Sequence, residues 1–130
     1  MKYTVWVPDP NTQTFHTMDL SGNRIAGFPE YLANVQLGWR NQGCSVLLTW
    51  KFVGDQYTDN FQNANNKVDP YSVLNAMFGY KMNSVLGFRG VEFRLAVNNI
   101  LNKLYAQSGE GEQFFVAADR NFYFETAIDF

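Results

Sequence analysis

The chain has 130 residues, of which 46% are hydrophobic and 17% aromatic, and its formal net charge is −2. This length predicts a single domain, and the lack of a basic cluster argues against a nucleic-acid partner. No stretch approaches the ~18 consecutive apolar residues of a membrane-spanning helix, whereas many aromatic residues with few charges suit β-strands and membrane interfaces.

The first residues alternate between polar and apolar side chains from Tyr3 to Val7, as in a strand. A secretory signal peptide would instead begin with a continuous apolar core. We therefore expect a mature segment or a fragment, in which Met1 is incidental.

Period-two alternation recurs along the chain, and helical periodicity is hard to find. It predicts six strands at residues 3–7, 31–40, 44–56, 71–81, 91–100 and 120–130.

Each long predicted strand has one apolar face and one polar face. A soluble antiparallel sheet with one solvent-exposed face would show the same alternation. Two features favour a membrane β-barrel: the strands are about ten residues long, enough to cross a bilayer at a tilt, and Trp39, Trp50 and Tyr80 lie near strand ends on the apolar faces. The charged residues of the strands all fall on the polar faces: Arg40, Lys51, Lys81, Glu92, Arg94, Glu125 and Asp129.

The final predicted strand runs to the last residue of the chain. A strand with one apolar face, one polar face and a terminal aromatic residue is what a membrane β-barrel uses to close on itself. Its apolar face carries Phe122, Phe124, Thr126, Ile128 and Phe130.

The connections between predicted strands differ in length. Residues 41–43 form a tight turn and residues 82–90 a fairly short one, whereas residues 8–30, 57–70 and 101–119 are long and rich in Asn, Asp, Gly and Gln. Outer-membrane barrels have short periplasmic turns and long extracellular loops. The long segments are therefore the candidates for ligand contact.

Catalytic chemistry is not predicted. With one histidine, His16, and one cysteine, Cys44, the chain has neither a histidine-based metal cluster nor a cysteine–histidine pair. We interpret His16 as a solvated loop residue and Cys44 as a bystander. We predict no enzyme, no metal and no cofactor. Four charged residues are expected to form paired charges on the polar face: Glu92, Arg94, Glu125 and Asp129.

Several segments resemble TonB-dependent outer-membrane receptors. Residues 21–34, SGNRIAGFPEYLAN, resemble a "G-N-R-x-x-G-x-P-x-x-x-A" motif before a late strand, and residues 52–57, FVGDQY, resemble "Y-V-G-D-x-Y". Residues 70–75, PYSVLN, are similar to "P-x-Y-x-x-x-D", and residues 97–106, VNNILNKLYA, to "V-N-N-L-F-D-K-x-Y". Together with the closing strand they follow the family order over residues 20–130. Gly54 would permit a bend or bulge at the barrel rim, and Asn98, Asn99 and Asn102 would bind local backbone.

The resemblance implies a plugged barrel of about 22 strands, of which this chain would be the last six, in the bacterial outer membrane. It implies outer-membrane lipid, a plug domain, the TonB system, the barrel-assembly machinery and an iron-siderophore or similar ligand as partners. A stand-alone β-barrel or β-sheet protein that binds a ligand is the alternative. Candidate ligand contacts are the aromatic and basic residues of the long segments: Phe15, His16, Arg24, Tyr57, Phe61, Tyr105, Phe114, Phe115 and Arg120.

Overall fold

The chain is all-β in the computed structural model, which describes residues 4–11, 14–85 and 87–130. All strand pairs are antiparallel, so the predicted fold class is confirmed. The strands of the described residues are β1 (Thr4–Pro8), β2 (Phe15–Asp19), β3 (Leu32–Asn41), β4 (Cys44–Val53), β5 (Gln56–Tyr57), β6 (Lys67–Val68), β7 (Tyr71–Val85), β8 (Phe88–Asn98), β9 (Ala106–Glu110), β10 (Gln113–Val116) and β11 (Asn121–Asp129).

Five long strands form one sheet in the order β11-β8-β7-β4-β3. Consecutive long strands are neighbours in it, which is an up-and-down arrangement. These five are the predicted strands after the first, with ends shifted by a few residues. The largest differences are that β4 ends at Val53 and that β7 and β8 extend to Val85 and Phe88, which pair with each other.

The prediction that residues 3–7 form a sixth strand of this sheet is wrong. Tyr3 lies outside the described residues, and β1 pairs with β2 in a separate two-stranded sheet. The physical reason is proximity: β2 follows within a few residues, so a local hairpin closes with Pro8 opposite Phe15 at a small entropic cost. Among the described residues, the open edges of the large sheet therefore belong to β3 and β11.

The register of the large sheet gathers the apolar residues on one face. Directly opposed residues of an antiparallel pair share a face, and Trp39, Val46, Phe78, Leu95 and Phe124 stand in one row across all five strands. The other face carries the row of Arg40, Ser45, Gly79, Arg94 and Glu125. We call these the apolar face and the polar face; their predicted segregation is confirmed.

The apolar face is open to its surroundings, with Leu37 and Phe124 each 69% exposed. From Leu74 to Met82 it extends along β7 for about 26 Å at ~3.3 Å per residue, or about 20 Å when the strand is tilted by ~40°. The apolar band of an outer-membrane barrel has a similar height, ~25 Å. A contiguous exposed surface of this kind marks a membrane or protein interface.

The two ends of the sheet differ. At one end β3, β4, β7 and β8 are joined in pairs by tight connections, and we call it the short-turn end. At the other, the long-loop end, the long connections carry strands of their own: β2, the hairpin β5–β6 and the hairpin β9–β10. The sequence patterns predicted only loops there. No helix in the described ranges is long and apolar enough to cross a membrane.

Candidate functional site

Buried residues are concentrated at the long-loop end. Leu20, Val53 and Val68 are the apolar ones there, and each is at most 5% exposed. Gln56 and Thr58 are equally buried although they are polar. The loops therefore form a packed layer of their own above the sheet.

An ion cluster ties two of the receptor-like motifs together. The Arg24 guanidinium lies 2.8 Å from Glu30 Oε1 and 3.4 Å from Asp55 Oδ2, and Lys67 Nζ lies 3.0 Å from the same Asp55 oxygen. Arg24 also lies over the Tyr57 ring, 6.0 Å from its centroid. The hydrogen bond from Lys67 lowers the pKa of Asp55, and the same contact raises the pKa of Lys67. Arg24, a candidate ligand contact, thus already has partners in both motifs.

A second reason for glycine at position 54 is visible in the structure. Of the bend or bulge that was predicted there, the bulge is absent, because the pairing of β3 with β4 runs in register to Val53. A Cβ atom at Gly54 would instead lie 2.8 Å from Cδ1 of Tyr31, whose backbone carbonyl accepts the Gly54 N–H at 2.8 Å. Glycine is needed here because the Tyr31 ring covers the backbone.

The two hairpins of the long-loop end are bonded to each other. Gln56 Nε2 donates to the Gln107 carbonyl at 3.0 Å, and Gly111 N donates to the Thr58 carbonyl at 3.0 Å. The Thr58 hydroxyl also donates to the Gly111 carbonyl. These bonds link segments about fifty residues apart in sequence into one unit.

The prediction that Asn98, Asn99 and Asn102 bind local backbone is confirmed for Asn99, whose side chain bonds the backbone of Lys103. It is wrong for Asn98, which bonds another side chain, and Asn102 bonds the backbone of a distant residue. Asn98 Nδ2 donates to Asn121 Oδ1 across the β8–β11 pair, and Asn75 Oδ1 accepts the Asn99 N–H, both at 2.9 Å. Asn102 Oδ1 accepts the Arg120 N–H at 2.9 Å, while the Arg120 guanidinium donates to the Ile100 carbonyl. Arg120, a candidate ligand contact, is thus part of this structural network.

An open cleft of about 590 Å³ lies between hairpin β9–β10 and the start of β7. Its walls include Tyr71 and Tyr105, whose rings stack at 4.3 Å, together with Phe114 and the lysines Lys67 and Lys103. Burial raises the pKa of the Tyr105 hydroxyl above its ordinary value. Of the candidate ligand contacts, Tyr105 and Phe114 are brought together here.

The remaining candidates are dispersed. Phe15 and His16 lie on β2, exposed and opposite Pro8 and Val7. Phe61 is exposed between β5 and β6, and Phe115 is exposed outside the lining of the cleft.

The predicted charge network on the polar face is present in part. Arg94 Nε lies 2.8 Å from Glu92 Oε1, and Arg94 Nη1 lies 3.6 Å from Glu125 Oε2. The expectation that Asp129 joins it is wrong: Asp129 stands opposite Gly90 and forms no ion pair in the part of the chain that the structure describes.

On the other face of β11, the predicted barrel-closing residues Phe122, Phe124, Ile128 and Phe130 are all exposed. The described residues include no group of acidic, histidine or cysteine side chains that could hold a metal.

A family model described as TonB dependent receptor-like, beta-barrel, matches residues 2–100. The chain belongs to the TonB-dependent receptor family. Neither the curated proteins nor the solved structures that were compared include a match. Members of this family are transporters of the bacterial outer membrane and not enzymes, which accounts for an open apolar face, a polar face and structured loops at one end. Strands β9 to β11 lie outside the matched residues.

Sequence reasoning missed the parts of the candidate site that depend on contact between distant segments. Thr58 and Gly111 carry no motif that indicates their hydrogen bonds. The acidic Asp55 and the basic Arg24 were each within a recognised motif, so opposite charges in neighbouring loops were the signal that could have predicted their pairing. Lys103 also lies within a recognised motif, but no pattern indicated that it lines a cleft.

Proposed function

We propose that the chain forms the C-terminal part of the barrel of a receptor that imports an iron-siderophore or a similar nutrient. The observation that carries the proposal is the position of the packed loops with exposed aromatic side chains. They lie at the long-loop end of a sheet that has one apolar and one polar face. In a closed barrel the apolar face would meet lipid and the polar face would line the lumen. The ordered loops would then stand over the lumen entrance, where a ligand arrives.

The exposed aromatic residues Phe61, Phe114 and Phe115 are the best candidates for ligand contact, with Tyr105 at the cleft. They offer apolar and aromatic surface to a bulky iron chelate. Arg24 and Arg120 would act by holding the loops, because both already have partners within the chain. Phe15 and His16 would contribute from hairpin β1–β2.

The partners of such a receptor follow from its mode of action. A plug domain would fill the lumen and contact the charges around Arg94, and the TonB system would supply energy from the inner membrane. The barrel-assembly machinery would recognise β11, and β11 would pair with the first strand of the barrel. No observation favours the alternative of a stand-alone ligand-binding β-protein, whereas the family match argues against it.

Uptake of radiolabelled ferric hydroxamate and ferric catecholate chelates by cells that express the receptor tests the proposal. We expect uptake of at least one chelate that requires the receptor and stops when an uncoupler collapses the proton gradient. Replacement of Phe114 and Phe115 by alanine should raise the apparent KM, and replacement of the exposed Glu112 by glutamine should not. Receptor-independent uptake, or uptake that continues without the gradient, would contradict the proposed function.

A further inference from the structure

Another cleft, of about 220 Å³, lies on the polar face at the long-loop end. Asparagines from three neighbouring strands line it: Asn75 on β7, Asn98 on β8 and Asn121 on β11. Each stands an even number of residues from the member of the polar-face row on its own strand. Because neighbouring strands are ~4.8 Å apart, the amides form a row about 10 Å long. Gln107 of hairpin β9–β10 completes the polar lining, and we call this the amide cleft.

Two of these asparagines are held by one half of the side chain, which leaves the other half for a ligand. Asn75 Oδ1 accepts the Asn99 N–H, and Asn98 Nδ2 donates to Asn121 Oδ1, both at 2.9 Å. Within the described residues, Asn75 Nδ2 and Asn98 Oδ1 form no hydrogen bond, and no buried side-chain polar atom lacks a partner. These two atoms are therefore open to solvent. They offer one donor and one acceptor, each oriented in advance by the bond that the rest of its amide makes.

This mixture of donors and acceptors selects a class of ligand. A hydroxyl group both donates and accepts, whereas a carboxylate or phosphate oxygen without a proton only accepts and an ammonium only donates. An anion would therefore have no hydrogen for the acceptor Asn98 Oδ1. Lys51 is the charged member of the lining among the described residues, and its ammonium also donates to a hydroxyl oxygen.

The size and the wall of the amide cleft fit a single sugar ring. The stacked rings of Tyr71 and Tyr105 form one wall, and they offer an apolar surface to the carbon–hydrogen face of such a ring. Complete ligand pockets enclose ~300–1,000 Å³. A volume of about 220 Å³ therefore suits one part of a larger ligand.

We propose that the amide cleft binds a neutral, hydroxyl-rich part of the imported nutrient, either a sugar ring or a polyol. Asn75 Nδ2, Asn98 Oδ1 and the Gln107 amide would be its contacts. This inference rests on the proposed function, because the polar face receives a nutrient only if it lines the lumen of a receptor. It assigns to the lumen side a second site, which takes a different part of the ligand from the exposed aromatic residues.

Isothermal titration calorimetry of the purified receptor in mild detergent tests this inference. The probes are the neutral trisaccharides cellotriose, xylotriose and mannotriose, their permethylated forms, which lack hydroxyl donors, the anionic trigalacturonate and the peptide triglycine. We expect at least one neutral trisaccharide to bind and its permethylated form not to bind. The affinity should not change with salt concentration, because no charge on the ligand is screened.

Alanine variants of the lining test the assigned contacts. Gln107→Ala and Asn98→Ala should each weaken binding of the sugar about fivefold, as expected for one neutral hydrogen bond. The Gln107 carbonyl that accepts from Gln56 is retained in alanine, so this variant keeps the bond between the two hairpins. Gln36→Ala is the matched control, because Gln36 is an exposed amide on the polar face, opposite Thr49 and outside the lining. It should leave the affinity unchanged.

The absence of binding by every neutral trisaccharide would overturn the proposal. So would tighter binding of trigalacturonate or triglycine than of any neutral sugar, or an equal loss in the Gln36 and Gln107 variants. Because calorimetry measures binding without transport, the two proposals can fail separately. Energised chelate uptake without sugar binding contradicts only this inference, and sugar binding without energised uptake contradicts only the proposed function.

Discussion

Asn99 and Lys103 are joined by two reciprocal hydrogen bonds: Asn99 Oδ1 accepts the Lys103 N–H, and Asn99 Nδ2 donates to the Lys103 carbonyl, both at 2.9 Å. Asn99 Nδ2 also donates to the Ala118 carbonyl at 3.3 Å. The Asn99 side chain thus closes the turn after β8 and ties it to the segment before β11. Only 3% of Asn99 is exposed, and its backbone has a positive φ of 53°.

Replacement of Asn99 by alanine should be strongly destabilising. It removes hydrogen bonds from a buried site, at about 1–3 kcal/mol, and places a Cβ-bearing residue without a local hydrogen bond in the left-handed region, at about 1–2 kcal/mol. We expect a loss of about 2–4 kcal/mol in a urea titration of the protein in lipid vesicles. Asn99→Gly should lose less, because glycine adopts the positive φ without strain.

Asn102→Gly is the control for the Asn99 variants. Asn102 also has a positive φ, 51°, but it is exposed and its side chain accepts one hydrogen bond, from Arg120 N. Its replacement should cost less than about 1 kcal/mol. Equal losses at the two positions would show that Asn99 does not hold the turn.

Gly54→Ala should destabilise the long-loop end. The new Cβ would lie 2.8 Å from Cδ1 and 3.0 Å from the backbone N of Tyr31, and relief of such overpacking costs about 1–3 kcal/mol. Gly38→Ala is the matched control, because a Cβ there meets only Leu47 Cδ1 at 3.8 Å. Urea titration should show a clear loss for the first variant and almost none for the second. If both variants unfold alike, close approach is not the reason for Gly54.

The long strands could be predicted from the sequence because lipid-facing and lumen-facing positions alternate with a period of two. Trp39 and Phe124 were assigned to the same face from pattern alone, and the register confirms this. Strand β1 was misplaced because the same alternation describes a strand in any sheet, and the pattern around Thr4–Pro8 does not specify a partner. The short strands β5 and β6 have two residues each, too few for periodicity to show.

The candidate site was less predictable than the sheet. Loop conformation depends on contacts between distant segments, such as Gln56 with Gln107, and composition does not encode their distance. The aromatic and basic residues of the long segments were assigned as ligand contacts by type, but Tyr105 packs against Tyr71 and Arg120 binds backbone. Residue type therefore indicated candidate positions but not the contacts that each side chain makes.

The Asp55–Lys67 pair should make the stability of the loop layer pH-dependent. The pKa of Asp55 is lowered by Lys67, so its contribution is present above the ordinary value of 3.8 and is lost as pH falls through the lowered pKa. The pKa of Lys67 is raised, so that contribution is lost only as pH rises above its ordinary value of 10.5.

Comparison of wild type with Asp55→Asn across pH tests this dependence. The difference in Tm should be constant between about pH 5 and pH 9 and should disappear as the pH falls below the ordinary value of 3.8 and through the lowered pKa of the wild-type carboxyl. Glu112→Gln, which changes an exposed acidic residue between β9 and β10, should show no such pattern. A difference in Tm that is unchanged at low pH would contradict the assignment of the pair.

Leu47 and Leu48 provide a direct test of which face meets lipid, because they are adjacent on β4 and point to opposite faces. Leu48 lies in the row of Leu37 and Ala76 on the apolar face, near the middle of its height, whereas Leu47 lies in the row of Gly38 and Met77 on the polar face.

An arginine at the bilayer midplane on the lipid face costs about 2–4 kcal/mol, but an arginine toward the lumen remains hydrated. Leu48→Arg should therefore lower the free energy of unfolding in phospholipid vesicles by that amount, measured by urea titration. It should also lower the folded fraction that is seen by gel mobility without heating. Leu47→Arg should fold nearly as well as wild type. Equal effects would show that the apolar face does not contact lipid, and a larger effect of Leu47→Arg would reverse the orientation of the sheet.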